Sequence, residues 1–304
     1  MRRFPRPNRC AIRVLFIAML ASAALPMTQA AAEDIKQCTD ASGVIAIAAC
    51  DRAIASGNYR GRQLAELHFN RAVEYHERHE SGPAMAAFDE AIRLNPDYAR
   101  AYFMRGNLWL ARGDNDRAIS DLNVALDLDP NNTDAYVNRG VAWYAKDDND
   151  RAIADYDMAI RLNPQETGAY SNRGGAWLVK GDHDRAVADF SEAIRLSPND
   201  PCPIFNRGFA FSLKGDNDRA IADYSEAIRI APTYVAALTN RGNVWSDKGD
   251  NDHAMADFNE ALRINPKYAK ALYLRGMTRL EMGDNAGGAA DVANARKINP
   301  KVGS

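Results

Sequence analysis

Between residues 65 and 302 the chain returns to the same residue types every 34 positions. Glycine recurs at Gly106, Gly140, Gly174, Gly208, Gly242 and Gly276, alanine at Ala84, Ala118, Ala152, Ala186, Ala220 and Ala254, and proline at each step from Pro96 to Pro300. Seven units follow, at 65–98, 99–132, 133–166, 167–200, 201–234, 235–268 and 269–302. A length of 304 residues would otherwise suggest about two compact domains, but a repeated unit lets a chain grow by stacking instead. Within a unit, apolar and small residues recur at steps of three and four in two stretches. Tyr102, Gly106 and Trp109 mark the first, and Ala118, Leu122, Ala125 and Leu126 the second. This spacing predicts a pair of helices per unit and an all-α fold.

Between the two helices lies the string Gly-Asp-Asn-Asp at Gly113 to Asp116, nearly repeated at Asp147, Gly181, Gly215 and Gly249. Glycine suits a left-handed residue after the first helix, and the aspartates suit the amino-terminal cap of the second. The recurring proline stops the second helix. Gly106, Ala118 and Ala125 carry little side chain, so the two backbones can approach while Tyr102, Trp109 and Leu122 fill the surrounding space. One pair alone would leave an apolar face in water. Stacked neighbours cover it, each large side chain contributing roughly 1.5–3 kcal/mol when buried.

The unit resembles the tetratricopeptide repeat, here carried in residues 133–166 by Tyr136, Gly140, Trp143, Ala152, Tyr156, Ala159 and Pro164. The resemblance implies a right-handed superhelical solenoid of helix-turn-helix units that binds proteins or peptides. Where the family has leucine before the glycine, this chain has Arg71, Arg105, Arg139, Arg173, Arg207, Arg241 and Arg275. Sixteen residues after six of these stand Asp121, Asp155, Asp189, Asp223, Asp257 and Asp291. A ladder of partly buried arginine–carboxylate pairs is expected, the alternative being an arginine stripe that grips an anionic ligand.

The resemblance also implies that the first helices line a concave groove, with the second, fifth, ninth, twelfth and thirteenth positions of each unit open to ligand. The expected groove residues are Phe69, Val73, Phe103, Asn107, Val137, Val141, Phe205, Phe209, Asn243, Tyr273 and Met277. Ser171, Gly175 and Thr239 occupy further fifth and ninth positions, and Asn138, Asn172, Asn206 and Asn240 place amides beside the groove. A subclass of the family clamps a terminal carboxylate with lysine at the fifth and asparagine at the ninth position. Asn107 and Asn243 follow Phe103 and Thr239 instead of lysine, so that clamp is not expected.

The ends depart from the period. Residues 1–32 hold Arg2, Arg3, Arg6, Arg9 and Arg13, no acidic residue, a 12-residue apolar run from Val14 to Leu25, and the small stretch Ala30 to Ala32. This reads as a secretory signal peptide cut after Ala30 or Ala32, since a bilayer span takes about 20 apolar residues. Its removal leaves 33 basic against 40 acidic residues, unlike the basic surface of a nucleic-acid binder. A periplasmic or secreted location is expected, without a membrane span after cleavage. Residues 33–64 read as a degenerate half-repeat, in which Ala46, Cys50 and Ala53 keep the spacing of Ala84, Phe88 and Ala91 at a distance of 38. Cys50 stands where a core aromatic belongs, and a disulfide to Cys38 is expected in an oxidising compartment, leaving Cys202 unpaired. In the last unit Arg279, Gly288 and Val292 replace core residues, and only Lys301 to Ser304 follow Pro300, so no separate capping helix is expected.

No glycine-rich phosphate loop or nucleophile elbow is present, and no cofactor is implied. His76, His79 and Glu80 share a helix end at steps of three and four, yet lack a third or fourth metal-ligand partner; solvated side chains are expected, and no metal. The function expected is a non-catalytic scaffold holding a partner protein or extended peptide, with no nucleic acid and no small-molecule substrate. The alternative is a structural component of an envelope export or polysaccharide assembly complex, contacting its partners by its ends and convex face.

Overall fold

A computed structural model describes residues 29–303. These residues form sixteen helices and no strand. The first four are α1 (Gln29–Asp40), α2 (Gly43–Ala55), α3 (Gly61–Glu77) and α4 (Ser81–Leu94). Then follow α5 (Ala99–Ala111), α6 (Asn115–Leu128), α7 (Thr133–Ala145), α8 (Asn149–Leu162), α9 (Thr167–Val179) and α10 (His183–Leu196). The chain closes with α11 (Pro201–Leu213), α12 (Asn217–Ile230), α13 (Val235–Asp247), α14 (Asn251–Ile264), α15 (Ala269–Glu281) and α16 (Asn285–Ile298). Each odd helix packs on the even helix after it and on the one before it, so hairpins stack into an all-α solenoid. Adjoining first helices also touch, α5 with α7 and α7 with α9 for example, and therefore form the inner wall. Among the described residues no helix is long and apolar enough to cross a membrane.

Local chemistry sets each hairpin. Gly113 takes φ 74° after α5, and the Gly113 and Asp114 amides donate to the Leu110 and Trp109 carbonyls, closing the helix in a left-handed turn. Asp147 takes the same role at φ 61°, without glycine's freedom. Asp114, Asp148, Asp182, Asp216, Asp250 and Asp284 accept from the backbone N–H three residues on and so cap every second helix from α6 to α16. Arg151, Arg185 and Arg219 then lie over Trp143, Trp177 and Phe211 at 4.3–4.4 Å, and His253 stacks on Trp245 at 4.9 Å.

Inside each hairpin the recurring glycine is required by contact. A Cβ on Gly174 would lie 2.8 Å from Cε1 of Phe190, and one on Gly140 2.6 Å from Tyr156. Beside these glycines run the arginine rungs. Arg105, Arg139, Arg173, Arg207, Arg241 and Arg275 each donate through Nε and Nη2 to both oxygens of the aspartate sixteen residues on, at 2.6–2.9 Å. Their Nη1 donates to the hairpin before, to Asp89, Asn123, Asp157, Ser191, Ser225 and Asn259 in turn. Each arginine thus ties two units together while satisfying a buried carboxylate.

The amino-terminal region holds two helices where a half-repeat was read, α1 and α2. The expected leader lies outside the described residues through residue 28, and residues 29–32 begin α1. Cys38 and Cys50 are joined by a disulfide with Cα atoms 4.8 Å apart, in a core shared with Ala53, Tyr59 and Leu67. The four extra loop residues place Asp51 where the preceding-unit partner of the rung belongs, and Arg71 donates to it at 2.6 Å. Its own second helix offers Ala87 in place of aspartate, and Arg71 Nη2 lies 3.1 Å from Nδ1 of the buried His68 instead. Burial first, then Arg71, pushes the His68 pKa below its ordinary value. At the other end Val302 packs with Leu272 and Tyr273.

Candidate functional site

The inner wall is where the units differ. Around α9 and α11 it opens into a cavity of about 430 Å³ lined by Gly175, Leu178 and Val179 of α9, Phe205, Asn206 and Phe209 of α11, Tyr144 of α7, Asn240 of α13 and Lys270 of α15, with Phe190 at its floor. Gly175 creates the space. Its equivalents in other units are Asn107, Val141, Phe209, Asn243 and Met277, and a Cβ added to it meets nothing within 4 Å. Val179 is 59% exposed and Phe209 37%, with Tyr144 and Leu213 exposed alongside. An apolar strip of this kind on an outer surface marks a recognition site.

The residues expected to line the groove separate into groups. Phe205 and Phe209 share the cavity, although Phe205 is also held by Tyr224 and Tyr234 at 5.6 and 5.0 Å. Met277 is exposed further along the wall. Phe69 is not groove surface: it is 2% exposed, closed over by Phe88, Tyr98 and the guanidinium of Arg100. Val73 packs against the same core cluster and Phe103 against Leu122 and Leu126. Tyr273 is half-buried, packed with Val302. Val137 and Val141 are half-buried on α7. Asn107 accepts from Asn138 at 2.8 Å, and Asn243 donates to Asp247 at 3.1 Å. The list of fifth and ninth positions omits Tyr144, Leu178 and Val179, at twelfth and thirteenth positions, and Lys270, at a second position. All four carry signals available to anyone who tracks those positions.

The polar side of the cavity is set by Lys270. Its Nζ donates to the Asn240 amide oxygen at 2.8 Å, and burial pushes its pKa below the usual lysine value. The guanidiniums expected either to pair internally or to grip an anion are turned onto aspartates, which leaves them engaged. Cys202 is exposed, and burial and Asp200 push its thiol pKa up, so it is a poor nucleophile. His76 and His79 stand at the end of α3, and among the described residues no cluster of three or more metal-ligand residue types forms.

The comparisons with known proteins agree with this architecture. Family models described as tetratricopeptide repeat match residues 84–133, 117–167 and 137–201, residues 204–234, and residues 235–268. Among curated proteins none matches the sequence. Of solved structures, a tetratricopeptide repeat protein from Parabacteroides merdae superposes with a TM-score of 0.64 at 18% identity, covering 78% of this chain and 94% of that one. MamA gives 0.51 at 27% identity, over 54% of this chain and 96% of its own. YrrB, described as having an unusual peptide-binding site, gives 0.52 at 24% identity, over 61% and 96%.

Proposed function

The chain belongs to the tetratricopeptide-repeat family, and on that premise we propose that it is a scaffold holding a partner protein or extended peptide along its inner wall. The main contact lies in the cavity between α7 and α15. The observation that carries this reading is the half-open apolar hollow left by Gly175 and walled by Val179, Phe205 and Phe209. Large apolar side chains of a partner gain most where the wall already excludes water on several sides, and amides such as Asn206 supply hydrogen bonds to an extended backbone. This fold is typically a non-catalytic scaffold. The arginine-rich apolar leader and the bonded Cys38–Cys50 pair support a periplasmic or secreted place of work.

A second reading, in which the ends make the contacts of a larger envelope assembly, is favoured by Val44 and Ile45 of α2, both well exposed. Capture of a partner from the cell envelope by the purified chain, measured against two variants, separates the readings. Gly175→Leu fills the cavity from an exposed helix position and is expected to abolish capture. Val44→Ser with Ile45→Ser is expected to leave it unchanged, and the opposite pattern would transfer the function to the end of the solenoid.

A further inference from the structure

Most cations of the repeated framework are spoken for. Lys146, Lys180, Lys214 and Lys248, which follow first helices, each pair with an aspartate of the preceding unit, Asp116, Asp150, Asp184 and Asp218. The rung arginines from Arg105 onward are held by carboxylates in the same way. Lys270 differs. It stands on the inner wall, its one hydrogen bond goes to the neutral amide of Asn240, and among the described residues no carboxylate lies within ion-pair reach. Desolvation lowers its pKa with no opposing negative charge nearby. A cation partly stripped of water without a counter-charge costs free energy, and an anion arriving in the groove would offset that cost. The adjoining wall is apolar, and no acidic side chain lines the cavity.

We infer that the partner segment is acidic beside its apolar anchor: a large apolar side chain enters the hollow at Gly175 while an aspartate or glutamate side chain pairs with Lys270. This deepens the groove reading and rests on it. A side-chain carboxylate is assigned over a chain terminus for two reasons. Phe205 and Phe209 occupy the positions from which further donors to a terminal carboxylate would come, and the inner wall continues past Lys270 to the exposed Met277, so a chain can run through. The chain as a whole carries a formal charge of -2, so the attraction is local to Lys270 rather than a general field.

The test uses decapeptide pools blocked at both ends by acetylation and amidation. One position carries phenylalanine, leucine or serine, and the positions after it glutamate, glutamine or lysine. Binding of each pool to the purified full chain is measured by fluorescence anisotropy. The wild type is expected to favour apolar residues over serine and glutamate over glutamine by roughly tenfold in Kd. Lys270→Gln should erase the glutamate preference while keeping the apolar one, and Lys270→Glu should turn the preference to lysine. A glutamate preference that is absent in the wild type or unchanged in Lys270→Gln, with apolar selection intact, overturns this inference and leaves the groove reading standing. So does binding seen only with unblocked carboxyl termini. Loss of apolar selection in the wild type, or the same selection in Gly175→Leu, overturns the groove reading and this inference with it.

Discussion

Gly174 and Gly175 are neighbours on α9 with opposite surroundings. A side-chain carbon on Gly174 would strike the Phe190 ring at 2.8 Å, and one on Gly175 would meet nothing within 4 Å. Gly174 has a counterpart in the unit before and the unit after, at Gly140 and Gly208, whereas the same steps from Gly175 reach Val141 and Phe209. The face that packs against the second helix repeats because every hairpin solves the same steric problem. The face that looks into the groove varies because nothing in the hairpin constrains it. In a molecule of this kind, structure is read from what recurs and binding from what departs.

That contrast can be broken at several points. The largest effect is expected on the repeating face: Asp189→Ala strips the buried partner from Arg173 and should cost about 3 kcal/mol in urea unfolding. Asp157→Ala, which removes the exposed partner of the same guanidinium, should cost about 1 kcal/mol or less. Replacing Cys38 and Cys50 by serine should cost about 2–3 kcal/mol, seen as faster amide exchange confined to α1–α3.

The two glycines should respond with opposite sign. Gly174→Ala is expected to lower stability by about 1–3 kcal/mol through overpacking, and Gly175→Ala to raise it by up to about 1 kcal/mol by restricting the unfolded chain, both read from denaturation midpoints.

The first rung offers a pH test. His68 is neutral in the fold because its pKa is held down, so the unfolded chain binds its proton more readily. The stability that neutral His68 supports is full above about pH 6.5 and is lost as pH falls from there through its lower folded value, with a slope of at most about 1.4 kcal/mol per pH unit. His68→Gln should flatten that part of the profile for the amino-terminal hairpins and leave the interior units unaffected.

The solenoid was legible because helical spacing, caps and small residues recur seven times, and the aspartates of the rungs stand at a fixed step from their arginines. The third contact of each arginine was not legible. Its acceptor is Asp89, Asn123 or Ser191 according to the unit, and a hydrogen bond tolerates that change where a pattern does not. The groove was legible only as a set of positions. Whether a side chain there is open depends on neighbouring units: Phe69 is closed by Tyr98 and Arg100 of the next unit, and the hollow at Gly175 exists because α11 brings Phe205 and Phe209 beside it. Lys270 was missed because its importance lies in the absence of a partner that the other framework cations have.

The groove reading is tested most directly by a photo-crosslinking residue placed in living cells at Val179, on the rim of the cavity, and separately at Ala154, exposed on the outer helix α8. The account predicts a discrete crosslinked partner from Val179 and none from Ala154. Crosslinking from Ala154 with none from Val179 would contradict it.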